Sequence, residues 1–325
     1  MIVSLAILFV GNSAVSIALG TPLIAYLTRI SFRQNAYEDA PQTHAKKTGT
    51  PTMGGVLFAV ALVIALIFHF DAVTVSLAVL GIGCGLVGFI DDYTSIRRGR
   101  NKGLSARAKF LATAVVGVAF LAIVRFAAAH DDAIRPGVVF TTGFSLGSAQ
   151  LIAPYALWWA LGLLAILATT HAVNLTDGLD GLAGGTMLPP LAVVAFFGWQ
   201  SGAYGVAFVD VAMIGAILGF LVYNRHPARV FMGDTGALLL GGVLAGSVVL
   251  TGTHLLLPLI GGVFAAEALS VIIQVTYFKT THKRIFRMSP LHHHFELGGW
   301  PETKVTARFW TASALLSLAG AAIVR

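Results

Sequence analysis

Apolar runs of membrane-spanning length recur along almost the whole chain, and that recurrence limits the fold more than any other feature. A bilayer hydrocarbon core of about 30 Å needs roughly 20 apolar residues in a helix. Ten stretches qualify: 2–28, 52–70, 72–90, 107–129, 155–173, 183–200, 204–223, 236–252, 255–278 and 306–324. Charge is correspondingly scarce, at 11% of 325 residues, where a soluble domain carries about 25%. The expectation is an all-α polytopic membrane protein with about ten transmembrane helices. No polar segment is long enough for a separate soluble domain, so residues 1–325 read as one integral membrane domain. The first run lacks the basic start of a signal peptide and is too long for one, so it reads as the first span. The single cysteine, Cys84, excludes an internal disulfide and a cysteine-based zinc site.

Basic residues set the orientation. With the N-terminus outside, the inner segments 29–51, 91–109, 174–182, 224–235 and 279–308 hold 18 of the 21 Lys and Arg. Both termini then lie outside. This asymmetry accounts for the formal charge of +7 without a nucleic-acid partner. The outer connections are short, except around 137–152, where alternation and two glycines predict a small hairpin. No internal repeat is visible, which argues against a transporter built from duplicated halves.

Asp91, Asp92, Asp177, Asp180 and Asp234 all fall on the inner side, from three different loops. In "NLTDGLDGLAGG", Asn174, Asp177 and Asp180 are spaced i, i+3, i+6 among glycines that let a ligand approach the backbone. In "YNRHPARVFMGDTG", Asn224 and Asp234 occupy a second loop, where Asp234 suits both a helix cap and a site. Phe231 beside it suits an interfacial anchor or a base-stacking ring. "KKTGTPTMGG" offers Lys47, Thr50 and Thr52 ahead of a helix N-terminus, where phosphate is favoured, although it is not a Walker A sequence. His292, His293 and His294 are adjacent. Adjacent side chains diverge, so contact with phosphate or proton transfer suits them better than one shared zinc ion. Part of 279–304 suits an amphipathic surface helix. Glu267 lies within a span and must be neutral, paired or facing a polar cavity; Asp210, near an outer helix end, reads as less constrained. Acids from several loops, with lysines and histidines around them, suit a divalent cation holding a diphosphate. Mg²⁺ takes one or two carboxylates plus substrate phosphates. A site at the membrane surface suggests one soluble and one lipid substrate.

Together, "GTPTMGG", "DDY", "NLTDGLDGL", "VFMGDTG" and "PLHHHFELGGWPE" resemble, in order and over about 47–310, the phospho-N-acetylmuramoyl-pentapeptide transferase family. That family is part of the polyprenyl-phosphate N-acetylhexosamine-1-phosphate transferase superfamily. The resemblance implies a ten-helix, Mg²⁺-dependent homodimer of the bacterial cytoplasmic membrane, active on the cytoplasmic face. It further implies transfer of phospho-MurNAc-pentapeptide from UDP to undecaprenyl phosphate, giving lipid I and UMP for peptidoglycan. By motif, Asp91 would be the base, with Asp92 beside it. Asp234 would ligate Mg²⁺, with Asp91, Asp92 and Asp177 as further candidate ligands, and His292 would share in catalysis. Lys47, Thr52, Asn174, Asp177, Asp180, Asn224, Phe231, His293 and His294 would bind substrate. The family commonly has a lysine where this chain has Ser95, leaving Arg97, Arg98, Lys102 and Arg107 as replacements for that cation. The alternatives are a UDP-HexNAc:polyprenyl-phosphate HexNAc-1-phosphate transferase and, more remotely, a cation-coupled transporter using Glu267.

Overall fold

The computed structural model describes residues 1–30, 49–98, 103–130, 143–146, 149–152 and 155–323. Helices form at all ten apolar stretches. They are α1 (Ile2–Arg29), α2 (Val56–Phe68), α3 (Ala72–Arg97), α4 (Ala106–His130), α5 (Tyr155–Thr176), α6 (Leu182–Ser201), α7 (Tyr204–Asn224), α8 (Gly233–Leu250), the one-turn α9 (Leu257–Ile260), α10 (Gly262–Thr281), the short α11 (Leu291–Glu296) and α12 (Glu302–Ile323). By length and composition, eight of them can cross a membrane: α1, α3, α4, α5, α6, α7, α8 and α10. Helix α2, at 13 residues, is only about 20 Å long. Helix α12 carries Glu302, Lys304 and Arg308 in its first two turns, which shortens its apolar part.

The predicted hairpin is present, with β1 (Gly143–Leu146) antiparallel to β2 (Ala149–Ile152) and Gly143 opposite Ile152. Residues 137–142 of the expected segment lie outside the described residues. The ninth span is not one helix. A 3-10 turn at His254–Leu256 and the short α9 precede α10, with Gly261 at the break.

Helix α8 is the axis of the bundle, buried along nearly its whole length. A helix that is apolar all round must be covered on every side. Small residues make the coverage close, as in other membrane helix pairs. On α3, Gly81 and Gly85 face Leu239 and Val243 of α8. On α8, Gly241 faces the Thr170 backbone of α5, and Gly242 faces Cys84. Helix α1 packs on α7 where Gly215 and Gly219 meet the backbone at Phe9 and Ser13. Helix α12 is pinned to α6 and α9 by Ser313 and Ser317, which donate to the carbonyls of Thr186 (2.8 Å) and Ile260 (3.0 Å). Asp210, expected to be loosely constrained, is wholly buried in α7 and accepts from Ser247 of α8 at 2.8 Å. Its position inside the α7–α8 contact, rather than at a lipid-facing end, is the reason.

Candidate active site

The acidic residues converge at the end of the bundle where α3 and α5 finish and α4 and α8 begin. Helix geometry gives the adjacent aspartates of α3 different partners. Asp91 turns toward α4: its Oδ1 accepts from the Leu104 backbone N–H (2.7 Å), and its Oδ2 is 3.2 Å from Lys109 Nζ. Asp92 turns toward α8: its Oδ1 accepts from the Asp234 N–H (3.2 Å), and its Oδ2 from the Thr235 N–H (3.0 Å) and hydroxyl (2.7 Å). The first turn of a helix has backbone N–H groups without intrahelical partners, and a carboxylate there satisfies them. Asp92 therefore caps α8 from another helix. Asp234 is not the cap but lies in the first turn, its backbone held by Asp92.

That hold leaves the Asp234 carboxylate facing inward. Oδ2 pairs with Lys109 Nζ, and Oδ1 accepts from Asn174 Nδ2 at 2.7 Å. Lys109 thus bridges Asp91 and Asp234, with side chains 16%, 12% and 23% exposed respectively. The bridge depends on close backbone contact. A Cβ at Gly88 would collide with the Asp234 carbonyl of α8. Gly233 has φ +73°, a conformation that favours glycine, and a Cβ there would come within 2.6 Å of Asp92 Oδ2 and 2.8 Å of Thr52 Oγ1. Phe231 and Met232 reach the same place through backbone bonds. The Phe231 N–H donates to Pro51 O (2.8 Å), and the Gly54 and Gly55 N–H groups donate to Phe231 O (2.9 Å) and Met232 O (3.0 Å). Thr52 is consequently buried beside the site, and the Phe231 ring is half-buried. Lys47 lies outside the described residues.

Asp180 and Asn224 form a separate cluster. Asn224 accepts from the Gly181 N–H (3.1 Å) and donates to Val230 O (3.0 Å). Asp180 Oδ2 lies 3.0 Å from His226 Nδ1 and accepts from the Ala228 N–H at 3.0 Å, while Glu302 Oε1 accepts from the Asp180 N–H at 2.6 Å. Asp180, His226 and Glu302 are the one trio of His, Cys, Asp or Glu within metal-ligand range among the described residues. Their atoms already tie the turn at 177–181 to the 224–230 connection and the start of α12. Asp177 sits at that turn, half-buried, with its N–H on Asn174 O at 3.3 Å.

The three histidines diverge. His292 is buried against Glu267, His293 Nδ1 lies 2.8 Å from Glu296, and His294 Nδ1 accepts from the Arg287 N–H at 3.1 Å. The surface helix expected within 279–304 reduces to α11, which packs Leu291 and Phe295 beside Trp300 and Phe309.

Lys109, His226, Glu302 and Thr235 are additional to the residues predicted from sequence. A cation from α4, Lys109, reaches Asp91 and Asp234, and it was not among the replacements expected for the lysine absent at Ser95; of those, Lys102 lies outside the described residues. Arg98, one of the expected replacements, instead donates to the Gly103 carbonyl at 3.3 Å on the exposed side.

The fold and site define a multi-pass helical membrane protein in which Asp91 and Asp234 meet one lysine at one end of the bundle. The profile of Glycosyl transferase family 4 matches residues 74–252, which include both aspartates of α3 and the α8 N-terminus. Phospho-N-acetylmuramoyl-pentapeptide-transferase of Bacillus subtilis (strain 168) is 43% identical over 312 residues, 94% of this chain and 93% of that one. The proteins of the same name from Heliobacterium modesticaldum and Geobacillus kaustophilus are 45% and 41% identical, covering 96% and 98% of this chain and 95% and 96% of their own. The chain belongs to the phospho-N-acetylmuramoyl-pentapeptide-transferase family. It is a transferase and a multi-pass bacterial membrane protein.

Proposed function

We propose that the protein transfers phospho-MurNAc-pentapeptide from UDP-MurNAc-pentapeptide to undecaprenyl phosphate on the cytoplasmic face of the membrane, giving lipid I and UMP. The observation that carries the chemistry is the convergence of Asp91 and Asp234 on Lys109. An oxygen of the lipid phosphate attacks the phosphorus that bears the sugar. The bond from that phosphorus to the bridging oxygen breaks, and UMP leaves with the bridging oxygen. Asp91 takes the proton of the lipid phosphate. Lys109 offsets negative charge on the phosphoryl oxygens, where positioning and electrostatics supply most of the rate.

The donor set fits Mg²⁺. Two carboxylates from different helices already point at one positive charge. Asp91, Asp92 and Asp234 against Lys109 leave a formal surplus of negative charge, and Mg²⁺ prefers carboxylate and phosphate oxygens. Asp234 would hold it, leaving Asp91 as the base, while both oxygens of Asp92 are engaged by the α8 N-terminus. When bound, the ion neutralises charge developing on the diphosphate. The trio with His226 suits Mg²⁺ less well because it includes a nitrogen donor. Asn174, Asp177, Asp180, Asn224, Phe231, Thr52, Lys47 and the three histidines form the nucleotide and sugar side of this reading, with Phe231 stacking on uracil. A homodimer completes it.

UMP release by purified protein, titrated with Mg²⁺, is the test. Release with UDP-MurNAc-pentapeptide and undecaprenyl phosphate, abolished by chelation, is expected. Release with UDP-GlcNAc in its place would transfer the assignment to the HexNAc-1-phosphate enzymes.

A further inference from the structure

Glu267 is wholly buried, and among the described residues its side chain's hydrogen-bond partner is a histidine from a different element. The break at Gly261 begins α10 so that this glutamate meets α11. Glu267 Oε1 accepts twice from His292: from the backbone N–H at 3.1 Å and from ring Nδ1 at 3.2 Å. The two side chains are 0% and 1% exposed. As a carboxylate, Glu267 can only accept, and that state puts the proton on Nδ1. In the neutral ring Nε2 is then left as a bare acceptor. Nε2 has no hydrogen-bond partner within the protein, although it is buried. It faces Gly178, where a Cβ would overlap the ring nitrogen. The histidine edge therefore reaches the turn that carries Asp177 because residue 178 has no side chain. A carboxylate within an apolar helix is also expensive to bury. Leucine at 267 would avoid that cost but could not orient the ring.

We propose that Glu267 is a positioning residue of the transferase. It fixes His292 in the Nδ1-protonated form, so that Nε2 accepts a hydrogen bond from an O–H or N–H of the sugar-phosphate substrate over the Asp177–Gly178 turn. The inference rests on the reading of His292 as a substrate-facing residue. Elsewhere, partners that orient a functional histidine from behind are worth about 10–100-fold, as measured at metal sites.

Two measurements on the full chain test it. The first is nitrogen NMR of histidine-labelled protein in nanodiscs, with the His292 signal assigned by its loss in His292→Gln. A protonated Nδ1 and an unprotonated Nε2 are expected; the opposite tautomer overturns the proposal whether or not any Glu267 variant folds. The second is UMP release by Glu267→Leu, Glu267→Gln, His292→Gln and the double variant Glu267→Leu/His292→Gln. Glu267→Leu, which has no acceptor for Nδ1, should lower kcat about 10–100-fold, and Glu267→Gln, whose side-chain carbonyl still accepts from Nδ1, should recover most of that loss. The double variant should be no worse than His292→Gln alone, because the residues act as a unit. Additive losses, or normal turnover by Glu267→Leu beside an impaired His292→Gln, overturn the inference alone. Normal turnover by His292→Gln overturns the reading of His292, and the inference with it.

Discussion

Asp91 and Asp92 are neighbours in the chain, but successive helical residues point about 100° apart, and here that angle separates two jobs. Asp91 faces Lys109 and the site, and Asp92 holds the first turn of α8. Asp91→Asn keeps an acceptor for the Leu104 N–H but cannot take a proton. Its UMP release should fall about 10²–10⁴-fold, with UDP-sugar affinity by calorimetry nearly unchanged; normal turnover would remove Asp91 as the base. Asp92→Ala strands the Asp234 and Thr235 N–H groups and the Thr235 hydroxyl. Each unsatisfied buried group costs about 1–3 kcal/mol, so the variant should melt several degrees lower in detergent as well as lose activity. Asp92→Asn, which retains acceptor capacity, should recover most of the melting midpoint. Lys109→Met leaves Asp91 and Asp234 facing each other without the ammonium. Its melting midpoint should therefore rise more steeply with Mg²⁺ than that of the unsubstituted protein, since a ligand that binds only the folded state stabilises it; an equal response would place the ion elsewhere. The aspartates were legible in the sequence because an acid beside a bilayer needs a reason. Lys109 was not, because a lysine at the inner end of a span is what the positive-inside bias already predicts. His226 and Glu302 stood inside recognised motifs, yet their meeting with Asp180 closes only in three dimensions.

At the scale of elements, the α3–α8 crossing places Asp234, and Gly88 sets its distance. A Cβ there meets backbone, which cannot rotate away, so the helices must separate. Overpacking of this kind costs about 1–3 kcal/mol. Gly88→Ala should lose most UMP release and several degrees of melting midpoint, whereas Gly11→Ala, whose Cβ meets nothing within 4 Å, should change neither. Retained activity in Gly88→Ala would mean that Asp234 tolerates displacement. Hydropathy located a helix at every apolar stretch, eight of them long and apolar enough to span, because apolar length is what lipid demands. It placed helix ends less well, because ends depend on backbone hydrogen bonding. Helix α3 continues to Arg97, seven residues past its apolar limit at 90, and carries both aspartates in helical geometry. The ninth span broke where Pro258 and Gly261 interrupt it, and that break is what brings Glu267 level with the histidine loop.

For the whole molecule, the charge asymmetry makes a prediction about sides. The site lies at the end of the bundle that carries the 224–232 connection and the histidine loop; the 201–203 connection lies at the opposite end of α6 and α7. With 18 of 21 basic residues assigned to the first of these sides, that side should face the cytoplasm. The chain is suited to a labelling test because Cys84, its only cysteine, is 0% exposed. A membrane-impermeant maleimide should leave the unsubstituted protein unlabelled from either side. Cysteine at the exposed position Arg225 should react in inside-out vesicles and not in intact spheroplasts. Cysteine at the exposed position Gln200 should do the reverse. The opposite pattern would put the acidic site outside, where no cytoplasmic UDP-sugar reaches it, and would overturn the proposed function together with the orientation. Agreement would mean that the soluble substrate arrives from the same compartment whose electrostatic preference oriented the helices.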